Sequence, residues 1–128
     1  TQYWAHHIMD TQYNTTPNGL SGNEDCGQMS AWYALSSIGL YPMNPASGDY
    51  EIGSPIFEKT TISISKEKTF IIEAEHVSDK NIYIQSATLN GVDFNHTSIS
   101  HKHILEGGTL HFVMGEKPNK NWGITNQN

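Results

Sequence analysis

Hydrophobic positions along this chain follow two different periods, and the change falls near residue 43. Before it, Trp4 and Ile8 stand four apart, and Ala5, Met9 and Tyr13 form a neighbouring ridge, the spacing of one helix face. Asn14 to Gly22 interrupts that pattern with Thr, Asn, Pro and Gly, and Pro17-Asn18-Gly19 marks a turn. A second helix is predicted to begin just after Asp25 and to run to about Ile38. Met29, Trp32, Tyr33, Leu35 and Ile38 give it a broad apolar face. Gly39 suits the left-handed residue that follows a last helical turn, Leu40 can pack back, and Pro42 forbids continuation.

From about Tyr50 the period becomes two. Ile62 with Ile64, then Phe70, Ile72 and Ala74, then Ile82 with Ile84, and finally Leu110, Phe112 and Met114 alternate with mostly polar neighbours. Asn90-Gly91 between Leu89 and Val92 predicts a type I′ hairpin turn. Strands that alternate in this way bury one face and wet the other, as antiparallel sheets do. The tail from Lys117 to Gly123 has no period and is expected to lie over the surface. The fold class is therefore α+β. A helical hairpin over 1–43 precedes a small antiparallel, sandwich-like β module over 44–128.

The 128 residues suit one domain or two small lobes. No apolar run approaches the roughly 18 to 20 residues of a membrane helix. Thirteen acids against seven bases give a net charge of -6, and every base is a lysine. Nucleic-acid binding needs a basic footprint to displace counterions, and none is present. Without arginine there is no guanidinium fork for phosphate or carboxylate, so elimination favours a neutral polar ligand such as a sugar. The single cysteine, Cys26, excludes an internal disulfide and a multi-thiolate zinc site. Because Thr1 already falls in helical pattern, the chain is expected to be a piece of a longer protein. An excised hairpin would leave an apolar face uncovered and prone to association.

Chemistry concentrates in Gly22-Asn23-Glu24-Asp25-Cys26-Gly27-Gln28. One reading is structural. Asp25 followed three residues later by Gln28 fits a capping box at the start of the second helix. The other is catalytic: a carboxylate on a glycine-flanked lip can approach a sugar closely and act as a general base. Cys26 beside a helix N-terminus is a rival nucleophile, although none of the seven histidines has a spacing that selects it as partner. His101-Lys102-His103 alternates as strand residues do, which would put both imidazoles on one face without a third metal ligand. His6 and His7 are adjacent on a helix and make no pair. Trp4, Trp32, Tyr33 and Tyr41 have core spacing, whereas Trp122, in the irregular tail, is expected to be partly exposed while packing on the β module.

The run from Gly22 to Tyr33 resembles the signature of glycoside hydrolase family 92, the calcium-dependent exo-α-mannosidases. The likeness continues through Gly39-Leu40-Tyr41-Pro42, Asn44-Pro45-Ala46-Ser47-Gly48 and Ile52-Gly53-Ser54-Pro55, then from Asn81 to Gly91. It ends with Gly107-Gly108-Thr109-Leu110 and the stretch from Lys117 to Gly123. The resemblance implies the C-terminal portion of an enzyme that joins an N-terminal β-sandwich to an (α/α)6 barrel and cleaves terminal α-mannose with inversion. Residues 1–43 would be the last barrel helices. Asp25 matches the family's general base, with Glu24 a second choice or a supporting residue; Asn23 stands where some members have an acid. The general acid and most calcium ligands would lie upstream, so the piece alone is expected to be inactive. The resemblance also implies a mannose-containing glycan, α-1,2 linkages foremost, and a periplasmic or extracellular parent. The competing reading is a carbohydrate-binding or purely structural β module without chemistry.

Overall fold

The computed structural model describes residues 1–124; residues 125–128, the end of the expected β module, lie outside the described residues. The first helix, α1, spans Gln2–Gln12 and ends where Tyr13 turns extended (φ -128°, ψ 138°). Of its two ridges, the one carrying Met9 faces inward, while Trp4 and Ile8 are exposed. A Pro17-centred loop folds back and pairs Tyr13 with Leu20 as an isolated antiparallel bridge. The second helix, α2, spans Gln28–Ser37 and is preceded by a single 3-10 turn, Asp25–Gly27. Its apolar face is only half covered, and Ser36 and Ser37 are its buried residues.

Gly39 is left-handed (φ +88°), as expected, and the end of α2 is sealed by the β module. The Ser36 carbonyl accepts the Gly39 N–H (3.0 Å), the Ser37 carbonyl accepts that of Ile56 (3.0 Å), and the Gly39 carbonyl accepts that of Gly53 (2.9 Å). Helix C-termini leave carbonyls without partners, and here residues 53–56 supply them. The helix and the module are thereby joined through main-chain bonds.

Eight strands and a short helix follow in the order β1 (Leu40–Tyr41), β2 (Asp49–Ile52), β3 (Lys59–Ser63), β4 (Thr69–Glu75), β5 (Tyr83–Leu89), β6 (Val92–Asp93), β7 (Ser98–Ser100), α3 (His101–Glu106) and β8 (Gly108–Gly115). They form a three-stranded sheet, β1-β2-β7, and a five-stranded sheet, β3-β4-β8-β5-β6. The alternating positions fill the shared core: Phe70, Ile72, Ala74, Ile84, Leu110, Phe112 and Met114 meet Leu40, Ile52, Ile99 and Ile104. Phe70, Leu110 and Phe112 are fully buried. Burying a side chain of this kind stabilises the fold by about 1.5–3 kcal/mol.

Three details differ from expectation. Every pairing is antiparallel except that of β4 with β8, which is parallel, so the larger sheet is mixed. Alternation in β5 shifts phase at a bulge between Ile84 and Ser86, which keeps Ile84 opposite Met114 and Ala87 opposite Phe112. Asn119 and the Lys117 carbonyl hold the extra residue, Gln85, with hydrogen bonds of 2.7 and 2.8 Å. His101-Lys102-His103 is the start of α3 and not a strand. Ser100 caps that helix by accepting the His103 N–H, and Gly107 ends it at φ +78°. The Asn90-Gly91 turn has both residues left-handed (φ 52° and 80°), as a type I′ turn requires.

Candidate functional site

The acidic motif lies where α2 begins, and its local geometry divides two tasks between two carboxylates. A helix start exposes N–H groups without intrahelical partners. The residue in the N-cap position is Gly27, which has no side chain to offer. Glu24 supplies the acceptor instead: its Oε1 takes the Ser30 N–H at 3.1 Å, six residues away. The chain doubles back to allow this, with Cys26 (φ 53°, ψ 29°) and Gly27 (φ 81°, ψ 14°) consecutively left-handed. The Gly27 N–H closes the turn onto the Glu24 carbonyl at 3.1 Å.

Asp25 is thus relieved of the capping role that its spacing to Gln28 predicts. Its residue is exposed, and among the described residues its carboxylate makes no hydrogen bond. The physical reason is the pair of left-handed residues, which turns the chain between Asp25 and the helix and takes Asp25 out of the N-cap position. Glu24 is half-buried; its Oε2 is shut off from solvent and has no hydrogen-bond partner.

Aromatic rings pack beside this turn. Tyr13 stacks on Trp32 (centroids 5.7 Å apart, planes 14° apart) and leans on Tyr33 at 4.8 Å. Its hydroxyl donates to the Met29 carbonyl at 3.2 Å, tying the end of α1 to the first turn of α2. Burial foremost, then the negative charge of Glu24 and the neighbouring Tyr41, push the Tyr13 phenol above its ordinary value near 10. The hydroxyl therefore stays a donor beyond the usual tyrosine range. Sequence spacing marked Trp32 and Tyr33 as core; the structure makes them half-buried walls of the motif. Tyr13 carried only its ridge position as a signal.

The other candidates are dispersed. Cys26 is exposed, and no histidine hydrogen-bonds to it among the described residues. His101 and His103 part company on α3, His101 meeting the Tyr50 hydroxyl (3.2 Å) and His103 the Ser100 hydroxyl (2.8 Å). The histidines that do converge were not marked by spacing: His76 and His111 place Nε2 at 3.2 and 3.3 Å from the two oxygens of Glu75. His76 and Glu75 are exposed and His111 is half-buried, and pairs at the surface contribute about 0–1 kcal/mol. Trp122 packs against the core, its Nε1–H donating to the Phe94 carbonyl at 3.2 Å. An open cleft of about 1040 Å³ separates α1 from the β module, lined among others by Trp4, Ile8, Trp32, Tyr41 and Trp122. Neither Glu24 nor Asp25 lines it. No helix is long and apolar enough to cross a membrane among the described residues.

Known proteins share this fold. The catalytic-domain model of glycosyl hydrolase family 92 matches residues 1–116. An uncharacterised secreted glycosidase of Arthroderma benhamiae is 37% identical over 127 residues, which is 97% of this chain and 16% of that protein. A family 92 α-mannosidase of Bacteroides thetaiotaomicron, solved with mannoimidazole, superposes with a TM-score of 0.90 at 41% identity, covering 97% of this chain and 16% of its own. A family 92 inverting mannosidase from the same organism gives a TM-score of 0.90 at 38% identity, covering 97% and 17%. The chain therefore spans about a sixth of the relatives it matches. With the family's catalytic-domain model matching residues 1–116 and relatives aligned over 97% of its length, this chain belongs to glycosyl hydrolase family 92.

Proposed function

We propose that the protein to which this chain belongs is an inverting, exo-acting α-mannosidase that removes terminal α-mannosyl residues, α-1,2-linked ones foremost, from glycans. Asp25 is its general base. It deprotonates a water on the face of the sugar opposite the departing oxygen, while a second carboxyl group upstream protonates that oxygen. The observation that carries this reading is the division of labour at the α2 start: Glu24 takes the helix N–H, and Asp25 stays exposed with both oxygens open. Family membership and the two mannosidases among its relatives support the substrate class.

Residues 1–43 are then the closing helices of the parent's helical barrel, and residues 44–128 a β module that braces them. The bonds from residues 53–56 to the end of α2 support that bracing role. The half-covered face of α2 and the exposed Trp4 and Ile8 are the surfaces that neighbouring helices of the parent would cover. With only one of two acting carboxyl groups, the 128-residue chain alone is inactive. A secreted parent, periplasmic or extracellular, accords with the secreted relative.

Calcium belongs to the same proposal as a property of the whole enzyme. Among the described residues no three His, Cys, Asp or Glu side chains gather closely enough to hold an ion. A calcium site takes six to eight oxygens, so the residues present do not fit one, and no step here runs through the metal.

The test is Asp25→Asn in the full-length enzyme acting on α-1,2-mannobiose. General-base help is worth about 10²- to 10⁴-fold, and a loss of that size in kcat is expected. Proton NMR of the first product formed should show β-mannose. Near-normal turnover of the variant, or α-mannose as first product, overturns the reading.

A further inference from the structure

We propose that Glu24 is the positioning residue for Asp25, acting as the hydrogen-bond acceptor that clamps the Asp25–Gly27 turn onto α2. The inference rests on the reading of Asp25 as general base.

Two bonds from one residue bracket the turn. The Glu24 main-chain carbonyl takes the Gly27 N–H at 3.1 Å, and its side-chain Oε1 takes the Ser30 N–H at 3.1 Å. Asp25 is the next residue along, so those two contacts constrain its backbone, together with the Gln28 N–H that bonds the Asp25 carbonyl. Gly27 has no side chain to cap with, and the Asp25 carboxylate has no bond of its own.

Accessibility separates the two acids. Asp25 is exposed and can receive a proton from a bound water. The free oxygen of Glu24, Oε2, is closed to solvent and unpartnered. A base must touch the water it deprotonates, and that oxygen does not. Tyr13 holds the same helical turn, its hydroxyl donating to the Met29 carbonyl one residue before Ser30.

Neither contact of Glu24 needs its charge. Both use oxygen lone pairs, and glutamine keeps the Oε1 acceptor at the same chain length. A buried carboxylate oxygen without a partner is a cost that the amide lessens. The clamp is therefore tolerant of neutralisation and intolerant of truncation.

The experiment compares Glu24→Gln, Glu24→Ala and Asp25→Asn in the full-length enzyme on α-1,2-mannobiose, with Ser30 amide exchange measured by NMR in the 128-residue chain. Glu24→Ala should lower kcat by roughly 10- to 100-fold, the scale of a displaced catalytic group, with KM within about twofold. Glu24→Gln should recover kcat to within about fivefold of the parent enzyme. The Ser30 amide should exchange slowly in the unaltered chain and in Glu24→Gln, and fast in Glu24→Ala. Equal losses in Glu24→Gln and Glu24→Ala, an unaltered kcat in Glu24→Ala, or a fast Ser30 amide in the unaltered chain each overturn the clamp. Full activity in Asp25→Asn fails the general-base reading instead, and the Ser30 exchange series still decides the clamp by itself.

Discussion

Replacing Gly39 by alanine tests how firmly the motif helix is fixed to the sheet beneath it. Gly39 has φ +88°, a region that costs an L-residue about 1–2 kcal/mol. A Cβ there would also lie 3.1–3.3 Å from Cδ, Cβ and N of Pro55. The proline ring is rigid and neighbours the fully buried Ser54, whose hydroxyl donates to the Ile82 carbonyl at 2.8 Å, so it cannot retreat freely. Crowding of this kind costs about 1–3 kcal/mol, and the narrower unfolded ensemble of alanine returns about 0.4–1 kcal/mol. The expected net loss is about 2–3 kcal/mol, a fall in midpoint temperature on the order of 10 °C. Gly48 provides the control: it is also left-handed (φ +74°), but a Cβ would meet nothing within 4 Å. Gly48→Ala should therefore lose only about 0.5–1 kcal/mol. Urea unfolding of the 128-residue chain followed by far-ultraviolet circular dichroism measures both. Equal losses for the two variants would refute the claim that Pro55 locks the end of α2.

Tyr13 gives a pH signature. Its folded value is raised above the ordinary one near 10, so the stability it confers is whole below that value and lost as pH climbs through the higher folded one. Ultraviolet titration should find one of the six tyrosines ionising late, with stability declining over the same interval; simultaneous ionisation of all six contradicts it. Trp122→Phe removes the indole bond to the Phe94 carbonyl, and the loss should be about 1–2 kcal/mol in urea unfolding. An unchanged midpoint would show that the tail does not hold that loop.

The sequence carried some features openly because one local rule decided them. Gly39 followed by Pro42 marked the end of α2, and Asn90-Gly91 had a single turn type available. Phe70, Ile72 and Ala74 were legible as core because a half-wet strand has no other arrangement. The parallel β4–β8 pairing was not legible, since alternation looks the same whichever way the partner runs. The bulge at Gln85 was hidden because its reason lies in Met114, Phe112 and Asn119, far along the chain. At His101 a capped helix of six residues was too short to show its own period against a strand's, and Ile104 is its single buried residue. The motif showed the same limit. Family likeness marked Asp25 and Glu24, but spacing alone gave Asp25 the cap, because only the left-handed pair Cys26-Gly27 hands that task to Glu24.

The larger sheet keeps its middle until the end. β8 pairs with β4 on one side and β5 on the other, yet it is the last strand to be synthesised among the described residues. Before Gly108 leaves the ribosome, the β3–β4 and β5–β6 hairpins have no common neighbour, and each presents a bare hydrogen-bonding edge. Closure must then span the contour from Thr69 to Gly115, which makes assembly of this module slow compared with its helices. A nascent chain stalled just short of β8 is thus an aggregation hazard, and a premature stop codon there removes the keystone and not merely a tail.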